Sequence, residues 1–174
     1  MGNEKFLFRA RDRAAAPEER TSHPWNPKSE IVGHMLGDRV GLKRIGIHHV
    51  TIPAGKESWV FHSHLTEEEF IFVLSGRGVL EIEDETFELE PGDFAGFPTP
   101  SVAHHIRNPF DQPFTYLTGG ERHEMEIADY PRHGRKLIRT GPKLEIFPHS
   151  ARQSFQEAAA EILGGADAAR DRGS

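Results

Sequence analysis

The chain has 174 residues, no cysteine and a formal net charge of −6. That length suits one domain with a modest core. The missing thiol excludes a disulfide framework, a thiolate nucleophile and sulfur ligation, so any bound metal must use nitrogen and oxygen. The negative balance argues against a general nucleic-acid binder, although residues 57 to 93 are strongly acidic and 132 to 143 basic. No apolar run approaches the roughly 20 residues of a membrane helix, and MGNEKFLFRARDR lacks the apolar region of a signal peptide. A soluble, cytoplasmic protein that does not enter the membrane is expected.

In chain order, the polar stretch RAAAPEERTSHPWNPKSE carries three prolines and reads as an extended arm, so that residues 1–43 form an N-terminal arm and leading strand. Between Arg44 and Gly120, short β-rich runs alternate with Gly, Pro and Asp clusters: RIGIHHVTI, SWVFHSH, EFIFVL, GVLEIE, TFELE, GDFAGF, AHHIRN and FTYLTGG. This density of strands predicts an all-β sandwich or small barrel over 44–120. The segment DYPRHGRKLIRTGPKLEIFPHS reads as irregular chain with two short strands, the first part of a C-terminal extension over 121–174. A helix is expected near 154–163, because Ser154 and Glu157 have capping-box spacing and Phe155, Ala158, Ala159 and Ile162 share a face before Gly164-Gly165. ADAARDRGS beyond it is expected to fray.

The stretch FHSHLTEEEFIFVLSG carries the chemistry. In a strand His62 and His64 face the same way with Cα atoms ~6.6 Å apart, so two imidazoles can converge on one ion. After a turn, Glu69 shares the face of Ile71 and Val73. Imidazole with carboxylate favours a divalent first-row metal (Fe, Mn, Zn, Ni, Co or Cu) over Ca or Mg. An ordinary acidic surface hairpin is the competing reading of these residues alone.

A second stretch, PGDFAGFPTPSVAHHIRNP, follows at the distance expected for the paired motifs of the cupin superfamily, which the sequence resembles. Gly55, His62, His64, Glu69 and Gly76 match the first motif with one extra residue after Gly55. Gly92, Pro98, His104 and Asn108 match the second, with Pro100 in place of its glycine and one extra residue before His104. His104 keeps the three-residue spacing to Asn108, and alternation sends His105 to the opposite face. The resemblance implies a jelly-roll double-stranded β-helix with one metal on His62, His64, Glu69 and His104. In an octahedral site this leaves two positions for water, substrate or dioxygen.

Other residues are candidates for the chemistry. One of His48 and His49 must face inward and could act as a general base. Tyr116 and Arg107 could orient a carboxylate or enediol ligand. The run Arg132, His133, Arg135, Lys136 and Arg139 either overlies the mouth or forms a solvated loop. Trp25 and Trp59 read as packing residues. Ile71, Val73 and Ile106 could line an apolar cavity. The leading expectation is an Fe(II)-type oxygenase acting on a small oxygen-rich, aromatic or anionic compound. A sugar or sugar-phosphate isomerase or lyase is the second reading, and a non-catalytic binding module the third. The apolar outer row Phe70, Phe72 and Leu74 implies cover by a second subunit, hence a homodimer, or by the chain's own arms.

Overall fold

The computed structural model describes residues 2–170. Its strands are β1 (Glu19–Thr21), β2 (Ile31–Met35), β3 (Ile45–Ile52), β4 (Ser63–His64), β5 (Glu69–Ser75), β6 (Gly78–Ile82), β7 (Glu85–Leu89), β8 (Phe94–Phe97), β9 (His104–Arg107), β10 (Phe114–Glu121), β11 (Met125–Tyr130), β12 (Arg135–Thr140) and β13 (Lys143–Pro148). Helices α1 (Ala10–Ala15), α2 (Leu36–Arg39) and α3 (Phe155–Arg170) are peripheral. The fold is all-β, as its sequence pattern predicts. Among the described residues no helix is long and apolar enough to cross a membrane.

One sheet has the order β1-β2-β3-β10-β5-β8, and every named pair in it is antiparallel. Opposite it lie β7-β6-β9 and β13-β12-β11-β4. These two are joined at a bridge where His62 and His104 exchange both backbone hydrogen bonds, at 3.1 and 2.8 Å. The interior between the layers follows from two-residue alternation. On β5, Ile71 and Val73 are buried whereas Phe72 and Leu74 remain 38 % exposed. Val50, Ile52, Leu80, Leu89, Ile106 and Phe114 complete most of the core.

Asn108 is a polar tie within this apolar interior. Its buried amide donates to the carbonyls of Ile52 (2.9 Å) and Gln112 (2.8 Å), while its side-chain oxygen accepts from the Phe110 N–H (3.1 Å). Three otherwise costly backbone groups are thus satisfied by one side chain.

Several elements differ from the sequence reading. The N-terminal arm is not merely extended: it contains α1, pairs β1 with β2, and packs Trp25 edge-on against Tyr130 at 5.3 Å. Of SWVFHSH only Ser63–His64 is a regular strand, since Val60 and Phe61 are buried in a bent segment. β11 was not anticipated, since only two short strands were expected in the C-terminal extension; it joins β4 to the β12–β13 hairpin. The expected capping box is present, with Ser154 N–H donating to Glu157 and Glu157 N–H donating to the Ser154 hydroxyl. The helix passes through Gly164-Gly165 to Arg170, and Phe155 on its anticipated apolar face is 85 % exposed. Residues 166–170 of the tail expected to fray are helical, and 171–174 lie outside the described residues.

Gly76 closes the turn between β5 and β6 at φ +78, and a Cβ on it would lie 2.1 Å from the Pro113 carbonyl oxygen. Gly92 has φ +100 but nothing within 4 Å of its would-be Cβ. Gly76→Ala is therefore expected to reduce the unfolding free energy by about 2 kcal/mol more than Gly92→Ala in urea titrations. Equal losses would show that the approach of Pro113 does not set the constraint.

Candidate metal centre and cavity

His62 and His64 protrude from one edge of the seam between the two smaller sheets, His104 from the other, and Glu69 reaches them from β5 in the facing layer. Ligand atoms of His62, Glu69 and His104 all lie within 4.8 Å of one another. Nε2 of His104 is 3.1 Å and Nε2 of His64 is 3.6 Å from Glu69 Oε2. All four anticipated ligands are thus brought together, and His105 occupies the opposite face beside Glu57 and Glu81.

The tautomers suit a cation. A main-chain carbonyl can only accept, so the contacts of Nδ1 with Val60 O in His62 (2.7 Å) and with Val102 O in His104 (3.1 Å) place the ring protons on Nδ1. Each Nε2 then offers a lone pair, and a lone pair 3.1 Å from a carboxylate oxygen requires a proton or a cation between them. His62, His64, Glu69 and His104 could hold one divalent first-row ion.

Glu126 on β11 was not anticipated, because it lies outside both motifs and carries no spacing signal. It is 2 % exposed, accepts the N–H groups of Leu65 (2.9 Å) and Thr66 (3.0 Å) and the Thr66 hydroxyl, and sits 3.4 Å from His64 Nδ1. It is a fixed carboxylate behind a candidate ligand, an arrangement that orients a ring and raises its basicity. Glu67 lies close to the same pair but is engaged by Arg139. Phe97 stacks on His104 with ring centres 3.6 Å apart, and the Thr118 hydroxyl donates to Glu69 Oε1 at 3.2 Å.

Burial, reinforced by repulsion from His104, pushes His62 down to about 3, so that it is neutral near pH 7. For Glu69 burial opposes the charge, but the contact with His104 and the field of the surrounding imidazoles outweigh it and hold the carboxylate at about 2.

The cluster opens onto a cavity of about 390 Å³ whose wall includes Ile71, Ile106, Phe97, Tyr116, Trp59 and His48. His48 is therefore the inward member of the histidine pair. It shares a cross-strand row with Thr118 and Ile71, and burial followed by the field of Arg122 lowers its pKa. His49 pairs in register with His34 on the neighbouring face. The Tyr116 hydroxyl, raised above its usual range by burial, remains protonated. Arg107 does not join the site: Ile106 takes the inward position and the Arg107 Nε lies 3.3 Å from Glu81 on the other face. Val73 packs in the core, and Trp59 lines the cavity instead of serving as packing alone. Of the basic run, Arg132 contacts Glu81, His133 packs on Trp25, Lys136 lies 3.8 Å from Asp129 and Arg139 meets Glu67.

A double-stranded β-helix with a His3Glu cluster between its layers defines the class. A cupin-domain family model matches residues 48–120. The chain belongs to the cupin superfamily. It is 34 % identical to a provisionally named sugar phosphate isomerase of Acidithiobacillus ferrooxidans, with a TM-score of 0.86 over 88 % of this chain and 99 % of that one. A sugar phosphate isomerase from a cupin superfamily, of Silicibacter pomeroyi, is 25 % identical with a TM-score of 0.69 over 80 % of this chain and 94 % of that one. An uncharacterized protein of Methanocaldococcus jannaschii is 35 % identical over 77 residues, 44 % of this chain and 59 % of that relative. The match thus spans less than two thirds of that relative.

The depressed His62 has a pH consequence whose sign is fixed. Its pKa falls from 6.5 when unfolded to about 3 when folded, so below pH 6.5 the unfolded chain binds a proton that the native state refuses. Native stability is complete above that value and is lost as pH falls, by up to about 1.4 kcal/mol per unit for this group. Chelator-treated protein should show this loss in denaturant titrations, and His62→Gln should flatten it. An equal slope in the variant would exclude His62 as its source.

Proposed function

We propose that this chain is a metal-dependent cupin enzyme of the isomerase or lyase kind, moving a proton on a small hydroxy-carbonyl compound. One divalent first-row ion would be held by His62, His64, Glu69 and His104. The observation that carries this reading is the ionisable side chain of His48, kept neutral in the wall of the cavity onto which the donor cluster opens. The names of the two structural relatives point the same way.

The chemistry that a divalent ion would supply there is Lewis-acid polarisation of a substrate carbonyl. The neutral ring of His48 accepts the proton from the adjacent carbon and returns it to the neighbouring position. Tyr116, protonated by virtue of its burial, donates a hydrogen bond from the cavity wall. Thr118 fixes one oxygen of Glu69, leaving the other toward the imidazoles. Ile71, Ile106 and Phe97 exclude water from the reacting carbons. The same apolar wall favours a second reading, the Fe(II)-type oxygenase, because oxygen chemistry needs little beyond an open ion and a dry cavity. Assembly as a homodimer through the exposed row of Phe72 and Leu74 belongs to either reading.

Protein purified without chelators is expected to contain close to one divalent ion per chain by elemental analysis, with His62→Ala and His104→Ala losing it. Glu126→Gln should weaken metal binding about 10- to 100-fold in competition titrations. Unchanged metal content in all three variants would refute the assignment.

Under anaerobic conditions in D2O, zinc- or manganese-loaded protein should exchange the α-hydrogen of a hydroxy-carbonyl substrate, followed by NMR. His48→Asn should slow exchange by about 10²- to 10⁴-fold, whereas His49→Asn should not. Oxygen uptake by the Fe(II) form, indifferent to His48, would instead favour the oxygenase.

A further inference from the structure

The cavity wall discriminates between classes of hydroxy-carbonyl compound. Ile31, Val32, Val50, Ile71 and Ile106 supply aliphatic surface, and Phe97 an aromatic face. Among the described residues lining it there is no lysine or arginine, and Glu19 of β1, whose field reaches His48, adds a carboxylate.

Arg122 is the cation directed toward this region. A Cβ on Gly46 would lie 3.0 Å from His48 Nε2 and 3.1 Å from Arg122 Nε, so the guanidinium and the imidazole meet above the bare glycine. Its two terminal nitrogens, however, grip the two carboxylate oxygens of Asp38, with Nη2 to Oδ2 at 3.2 Å. Two of the basic residues that follow the barrel are also engaged: Arg132 lies 2.9 Å from Glu81, and Arg139 donates to Glu67. A phosphate entering this cavity would surrender its hydration without the fork of donors that normally replaces it.

We propose that the substrate is an unphosphorylated hydroxy-carbonyl compound with an apolar body, its vicinal oxygens directed at the His62, Glu69 and His104 cluster and its carbon skeleton against the aliphatic wall. This rests on the preceding reading of the site as one for hydroxy-carbonyl compounds. Arg122 then serves the protein by its contacts with Asp38 and His48, not as an anion anchor.

The test is a binding measurement on the full chain, zinc-loaded and metal-free, using 2-hydroxyacetophenone, fructose and fructose 6-phosphate. Trp59, in the cavity wall and 46 % exposed, is the fluorescence reporter, with Trp59→Phe as the control and calorimetry as the independent readout. The zinc form should bind 2-hydroxyacetophenone at least about tenfold more tightly than fructose 6-phosphate, with the two sugars within about threefold of each other. Arg122→Leu should leave the sugar-phosphate affinity unchanged. Three results would each overturn the proposal: fructose 6-phosphate binding about tenfold more tightly than fructose, a comparable loss of its affinity in Arg122→Leu, or no binding of the hydroxyketone. Tight hydroxyketone binding without hydrogen exchange would overturn the isomerase reading alone and support this one. Exchange on a phosphosugar that binds through its phosphate would do the reverse.

Discussion

The interior of this protein is organised around a carboxylate placed among three imidazoles between two layers of sheet. Moving a charge out of water is among the costliest steps in folding, and it is tolerated only where fixed partners replace the lost hydration. The Thr118 hydroxyl donates to one oxygen of Glu69 from the adjacent strand, and His104 and His64 approach the other from the facing layer, where a proton or a cation completes the contact. Because its partners come from separate sheets, the cluster ties the two layers together at the seam where His62 and His104 pair.

Two rings of the cluster are held from behind by hydrogen bonds, and the third has a carboxylate behind it. Val60 and Val102 accept from Nδ1 of His62 and His104 through carbonyls two residues away, so the strand's own bend fixes the tautomer. His64 depends instead on Glu126, which is immobilised by backbone donors on the turn after β4. The C-terminal extension therefore supports the candidate metal site through β11, although no residue of that extension belongs to the paired motifs.

Charge is segregated by the same alternation that forms the core. Along β9, His104 and Ile106 turn inward while His105 and Arg107 turn toward Glu57 and Glu81. Arg132 from the following segment closes this second group by contacting Glu81 and lying over the Phe61 ring. The outer layer thus gathers cations against carboxylates, while the inner cavity keeps aliphatic walls, histidines and Glu69. That separation makes a metal-assisted reaction on a weakly charged compound chemically coherent.

The fold was legible because it rests on local rules, and the four-residue cluster because two stretches of the chain resemble the paired cupin motifs. Period-two alternation places Ile71 and Val73 inside, and fixed spacing puts His62 and His64 on one face. The extra residues in both motifs fall in turns, which absorb them without moving the ligands. Gly76 in motif one is explained by its positive φ together with the close approach of Pro113. The roles of Glu126, Arg107 and Trp59 were not legible. Glu126 reaches His64 across 62 positions only because β11 pairs with β4, and Arg107 is turned away by the inward placement of Ile106. The choice of His48 over His49 likewise waited on how β3 registers with β10 and β2. Sequence by itself determined most of the strands between Arg44 and Gly120 and the core face, since these depend on neighbours along the chain, and its resemblance to the cupin motifs singled out the donor set. Tertiary structure alone decided which carboxylate orients a ligand and which base meets the cavity, because both depend on strand pairings between distant segments.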